Sequence, residues 1–348
     1  MAKLVFGVCG VGVGHAMRMR VILEKLEKKH DILIIASLFP STYLKKYFKN
    51  KVVEIEGLEI AFKNNTIVNY RTVLKNLKKL SLKNYSKLKE VKRIVERFDP
   101  DIIFSDMEPF VCVLAKEMKK PLVSIGNQHY TLFGDFNVKS RDYINYMTAV
   151  GVIKTLVPSP DYSVITYFEG TKLKKDPRRF LTLPIIRKEI LEAKASVKDY
   201  VLVYQSITSY SRLIKMLENI NEKFVIYGHD MNKKRKNLTF KKFDDSKKFI
   251  EDLKNCKAVI TNAGFTLLSE SLILNKPILA IPIKKHFEQK LNAIYIKENK
   301  YGDYYSNLNI TNIKKFLDNL TNYKRYKAKQ KNNEKVIEVI EKIIKNVA

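Results

Sequence analysis

The chain has 348 residues, too many for one ordinary domain and suited to two of roughly 150 residues each. Its 45% hydrophobic content gives each half a core, and no apolar run long enough for a plain transmembrane helix or a secretory leader is present, so the expected location is the cytoplasm. Lys and Arg number 65 against 36 Asp and Glu, a net of +29; such a surplus suits nucleic acid, an anionic membrane surface or a phosphorylated substrate, or else is a Lys-rich bias spread over solvated faces.

Short β-branched runs alternate with longer amphipathic segments, the rhythm of parallel sheets with crossover helices. In the first half strands are expected at residues 4–9, 31–36, 52–55, 101–105 and 121–125. The first runs into Gly10-Val11-Gly12-Val13-Gly14-His15, and a helix follows over about 15–28. Glycines there let the backbone turn sharply and let a ligand approach a helix N-terminus. A dinucleotide fingerprint needs two more residues before its third glycine and an acidic residue ending the second strand. Here that strand ends Ala36-Ser37-Leu38, so the dinucleotide reading is set aside.

His15 opens the helix at the mouth of the sheet. The positive end of a helix favours a neutral, base-competent imidazole; a plain capping histidine is the alternative. Asp106 lies just past a strand end, on the edge that His15 shares, and a carboxylate on one ring nitrogen fixes the tautomer. Its alternative role is a helix N-cap. Asn127, Gln128 and His129 follow the next strand and reach the same edge, as an acceptor-site lining or a polar loop. Residues 71–98 read as a long basic helix and 141–158 as a buried one. Cys9, Cys112 and Cys256 form no C-x-x-C pair and read as reduced core thiols.

The segment 180–194, holding Pro184, reads as the linker. Beyond it strands are expected at 200–204, 224–227, 238–243, 258–261 and 277–281, with helices at 211–219, 246–253, 266–274 and 288–299. A last basic helix after Tyr323 carries Val336, Ile337, Val339, Ile340, Ile343 and Ile344 as its apolar stripe. The expected domains are 1–183, 184–322 and a C-terminal helix in 323–348 that packs back on the first. Two consecutive doubly wound units point to ligands at the carboxyl ends of the strands, in a cleft between domains.

The most informative stretch runs from Thr261-Asn262-Ala263-Gly264-Phe265-Thr266 through Glu270, Pro277 and Pro282 to Glu288-Gln289 and Asn292-Ala293. A strand ends in a glycine turn, and free N–H groups with the Thr266 hydroxyl at a helix start make a diphosphate cradle. Glu270, one turn on, suits a ribose diol, and Gln289 suits sugar hydroxyls. Taken apart, the pieces describe an ordinary βαβ unit with a glycine cap.

This stretch resembles the donor region of inverting glycosyltransferases with two Rossmann-like domains (GT-B). The group in question contains the lipid II N-acetylglucosaminyltransferase, the diacylglycerol glycosyltransferases and the UDP-glucuronosyltransferases. Gly264, Thr266, Glu270, Pro277, Pro282, Glu288, Gln289, Asn292 and Ala293 match its pattern. The loop from Gly10 to His15 resembles the family's glycine turn with its histidine base, and Leu183-Pro184-Ile185-Ile186-Arg187 its interdomain stretch. Phe243 resembles the place where the main chain reads the uracil. Departures are Asn262 in place of His or Arg, Leu267 in place of Ser or Thr, Asn275 in place of Gly, and a turn Gln205-Ser206-Ile207 without glycines.

The resemblance implies a metal-independent transferase with no cofactor beyond a nucleotide-sugar co-substrate, a UDP-sugar in the first instance. His15 and Asp106 are the expected catalytic pair. Ser206, Phe243, Gly264, Phe265, Thr266, Glu270, Glu288 and Gln289 are expected at the donor, and Gly12, Gly14, Asn127 and His129 in the phosphate and acceptor loops. The expected acceptor hydroxyl belongs to a lipid or cell-envelope precursor, reached by peripheral contact with an anionic membrane. Two alternatives stand beside this one: a UDP-sugar 2-epimerase of the same fold, and a non-enzymatic basic nucleic-acid-binding protein, which steep salt dependence without nucleotide-sugar preference identifies.

Overall fold

The computed structural model describes all residues except 64, 68–71, 73–81, 206–210, 244–245, 306, 328–331 and 348. Contacts divide the chain into two units. The first comprises Met1–Ala61, Asn69–Ile185 and Asn332–Ala348, and the second Phe62–Val68 and Ile186–Lys331.

The first unit is built on seven parallel strands, in spatial order Val52–Ile55, Asp31–Ser37, Lys3–Val8, Ile102–Asp106, Leu122–Gly126, Tyr162–Thr166 and Arg179–Thr182. Strands such as Ile102–Asp106 and Leu122–Gly126 are buried along their whole length, because helices cover both faces of a parallel sheet. Gly7 is required at one such contact: a Cβ there would lie 2.4 Å from Cγ2 of Val111, on the helix Pro109–Glu117. That helix starts at Pro109 and is capped by Glu108, whose carboxylate accepts from the Phe110 and Val111 amides at 3.2 and 2.9 Å. The core beneath joins Val5, Leu33, Ile35, Val91, Val95, Ile103, Val111 and Leu114.

The chain winds outward from Lys3–Val8 on one side and from Ile102–Asp106 on the other. The switch point therefore lies between these two neighbours, where doubly wound sheets bind ligands at the strands' carboxyl ends. Cys9 and Cys112 are buried and unbridged among this core, and Cys256 in that of the second unit; burial pushes all three thiols up to about 12.

The second unit repeats the plan. Its order is Lys233–Arg235, Leu238–Phe240, Phe224–Tyr227, Val201–Tyr204, Ala258–Thr261, Ile278–Ala280 and Gly302–Tyr304, with only Lys233–Arg235 antiparallel. A two-stranded hairpin, Phe62–Lys63 with Thr66–Ile67, belongs to this unit although it arises early in the chain, and Thr66 bridges to Lys284.

Several sequence expectations need revision. Residues 141–158 form the helix Tyr143–Leu156, but of its residues only Ile153 is buried; Tyr143, Ile144, Met147 and Val152 are exposed. The few charges that suggested an interior helix belong to an apolar surface. The expected linker at 180–194 begins inside a strand, Arg179–Thr182, which has neighbours on one side only and so carries a weak apolar pattern. Of the expected helix at 71–98 the described part is Leu82–Phe98, and most of 71–81 lies outside the described residues. The helix Glu334–Val347 buries Val336, Ile340, Ile343 and Ile344 within the first unit, where Glu341 meets Nε2 of His30 at 3.1 Å. Among the described residues no helix is long and apolar enough to cross a membrane.

Candidate active site

In the first unit the glycine loop delivers the helix Val13–Leu26 to the switch point. Gly12 is its N-cap, with φ +93°, a region that disfavours side chains, and among the described residues a Cβ there would meet nothing within 4 Å. Gly14 is half-buried in the first turn. His15 follows, and its Nδ1 lies 2.9 Å from Oδ1 of Asp106. Asp106 ends its strand directly opposite Val8 in register, which is why residues 91 positions apart in sequence meet. The His15 side chain is 12% exposed and that of Asp106 is fully buried.

Arg18, one turn on from His15 and buried, completes the arrangement. Its Nε donates to Oδ2 of Asp106 at 3.0 Å, and its Nη2 donates to Oδ1 of the same carboxylate. Nη1 donates to Oδ1 of Asn127 at 2.7 Å and Nη2 to Oε1 of Gln128 at 3.2 Å. Burial alone would raise the Asp106 carboxyl, but the Arg18 guanidinium and His15 hold it below the usual carboxylate range. His129 lies outside this hydrogen-bond network: it is buried, stacked on Phe133, and among the described residues neither ring nitrogen has a partner. Burial, helped by the charge of Arg179, lowers it to about 4. Sequence reading thus placed His15, Asp106, Asn127 and Gln128 at one edge but missed Arg18; its i+3 spacing from His15, which puts both on one helix face, was the available signal.

In the second unit the strand Ala258–Thr261 leads into the helix Phe265–Ile273, capped by Gly264. The left-handed residue of this turn is Ala263, φ +63°, whereas Gly264 is extended, and among the described residues a Cβ at Gly264 would meet nothing within 4 Å. Among the described residues the glycine therefore leaves the helix start open rather than serving the turn's geometry. Thr266 is half-buried there and Phe265 is buried. The motif further on braces the turn. Asn292 Nδ2 donates to the Ala263 carbonyl at 3.1 Å, and Oε1 of Gln289 accepts from the Ile283 amide at 2.9 Å. Glu288 is half-buried in the first turn of the helix Phe287–Glu298.

Glu270 is buried, and both its oxygens receive Arg187: Nε to Oε1 and Nη2 to Oε2, each at 2.6 Å. Two parallel N–H···O bonds fix the plane of the carboxylate and leave it the lone pairs that point away from the fork. Phe243 packs edge-on against Phe249, Tyr204 and Tyr227 at 5.1–6.4 Å between ring centres. Ser206 lies outside the described residues.

Solved structures share this architecture over the whole chain. Phytolacca americana UGT2, solved with UDP-2-fluoro-glucose and pterostilbene, aligns with TM-score 0.66 at 13% identity, covering 99% of each chain. Acinetobacter baumannii MurG aligns at 0.57 and 13% identity, also over 99% of each. The fold is GT-B, as the sequence led one to expect. The chain belongs to glycosyl transferase family 1, whose model matches residues 2–321. An uncharacterized glycosyltransferase of Methanosarcina mazei is 24% identical over 326 residues, 86% of this chain and 85% of that one. One from Methanosarcina acetivorans is 23% identical over 327 residues, 86% and 82% of the two chains.

Proposed function

We propose that this glycosyltransferase moves a hexosyl or N-acetylhexosaminyl group from a UDP-sugar to an acceptor hydroxyl with inversion at the anomeric carbon. The observation that carries the proposal is the His15–Asp106 contact at 2.9 Å at the sheet's switch point. The first unit supplies the base and takes the acceptor; the second takes the donor. Nε2 of His15 accepts the acceptor's proton as its oxygen attacks the anomeric carbon, the glycosidic bond to the diphosphate breaks, and Asp106 stabilises the imidazolium. The open helix start at Gly264, Phe265 and Thr266 takes the charge that develops on the leaving UDP, so the reading needs no metal. Glu270, held flat by Arg187, binds the ribose diol through its remaining lone pairs. Glu288 and Gln289 face the sugar, and the loop around Phe243 reads the base.

Membership of a glycosyltransferase family favours transfer over the epimerase and nucleic-acid readings. A panel of UDP-sugars, scored by thermal stabilisation and slow hydrolysis, identifies the donor. His15→Ala is expected to bind UDP as the parent does and to lose turnover by roughly 10²–10⁴-fold, the usual contribution of a general base; parental turnover in this variant sinks the mechanism.

The acceptor side favours a lipid. The helix Tyr143–Leu156 exposes Tyr143, Ile144, Met147 and Val152, with Lys139, Arg141 and Lys154 exposed beside them, a pattern that seats at an anionic membrane surface. Flotation with vesicles containing phosphatidylglycerol is expected to carry the protein at low salt, and Ile144→Glu/Met147→Glu to abolish it. Failure of the parent to float removes the lipid reading and leaves the transfer reading intact.

A further inference from the structure

We propose that Arg18 is a positioning residue that sets the tautomer of His15, with Gln128 completing the device. The inference rests on the reading of His15 as the base. Nη2 of a guanidinium carries two hydrogens. Three atoms surround that nitrogen: Oδ1 of Asp106, Oε1 of Gln128 at 3.2 Å and Nδ1 of His15 at 2.9 Å. The two oxygens only accept, so they take both hydrogens. None is left for His15, whose Nδ1 must then carry its own proton and donate it to Asp106 at 2.9 Å. A bare Nδ1 would leave one of the three acceptors without a hydrogen and set two lone pairs face to face. Nε2 is accordingly the unprotonated nitrogen, the form the transfer step uses.

The backbone is arranged for this contact. Gly126 has φ +143°, and a Cβ there would stand 2.8 Å from Oε1 of Gln128 and 3.0 Å from Nη2 of Arg18. Only glycine leaves room for the guanidinium and the amide to meet.

The test uses the full chain labelled with 15N-histidine, with His15 assigned by comparison with His15→Gln. In the ligand-free parent, His15 is expected to show a protonated Nδ1 and a bare Nε2. In Gln128→Leu one Nη2 hydrogen is freed for His15, and the population with a bare Nδ1 is expected to rise. In Arg18→Gln kcat is expected to fall about 10²-fold, the low end for a general base, with donor KM unmoved, and Arg18→Lys to restore part of it. A parent with bare Nδ1, or a Gln128→Leu spectrum identical to the parent's, overturns the proposal even if Arg18→Gln fails to fold. The expected tautomer in a chain that transfers no sugar overturns instead the transferase reading, because the spectrum needs neither donor nor acceptor.

Discussion

At the scale of single residues, two buried groups in the first unit pull stability in opposite directions with pH. Burial raises Glu108 to about 7 despite two amide donors, and lowers His129 to about 4. A carboxyl with a raised folded pKa contributes stability that is full below its unfolded value and is lost as pH climbs from about 4.5 to about 7. A histidine with a depressed folded pKa contributes stability that is full above about 6.5 and is lost as pH falls toward about 4. Each group has a slope of about 1.4 kcal/mol per pH unit, and between about pH 4.5 and 6.5 the two cancel. Urea titrations across this range are expected to find His129→Phe less stable as pH rises and Glu108→Gln more stable as pH rises. Parallel curves for parent and variants would show that neither group is held neutral.

At the scale of elements, the helix Phe265–Ile273 depends on one ion pair more than its length suggests. Arg187 and Glu270 are both buried, and removing one partner of such a pair leaves an uncompensated charge, at a cost of about 3–5 kcal/mol. Glu270→Ala is therefore expected to unfold the second unit at markedly lower urea, and Arg187→Met/Glu270→Met to recover most of that loss. Donor binding must be read in the stabilised double variant, where loss of UDP affinity reports the ribose contact itself. The same helix shows how much of the site was legible in advance. The spacing from Gly264 through Glu270 to Gln289 and Asn292 marked the stretch by its resemblance to a glycosyltransferase donor region. The work of each residue was not legible. Asn292 and Gln289 spend hydrogen bonds on the turn and on Ile283, and Arg187 lies 83 residues from its partner, a distance no local pattern spans.

At the scale of the whole molecule, two units with separate cores imply two unfolding steps, and only the second holds the proposed donor site. UDP at about 100 times its Kd stabilises the state it binds by about 2.7 kcal/mol. Calorimetry of the full chain is expected to show one transition rising with UDP while the other stays; movement of only the transition assigned to the first unit by its Gly7→Ala variant contradicts the donor assignment. The net charge of +29 screens out within about 10 Å at 0.1 M salt, so the experiment is run at that ionic strength or above.

The amino-acid sequence by itself determined the two α/β halves, the strand-loop-helix units and the switch-point histidine, since hydrophobic period, glycine placement and helix caps act over a few residues. It misjudged the helix Tyr143–Leu156, because an apolar run has the same composition whether it faces a core or solvent. It did not reveal Arg18 closing on Asp106, Asn127 and Gln128, nor Arg187 on Glu270. Those contacts exist because parallel strands bring distant chain segments to one sheet edge, and only the folded chain decides which side chains meet there.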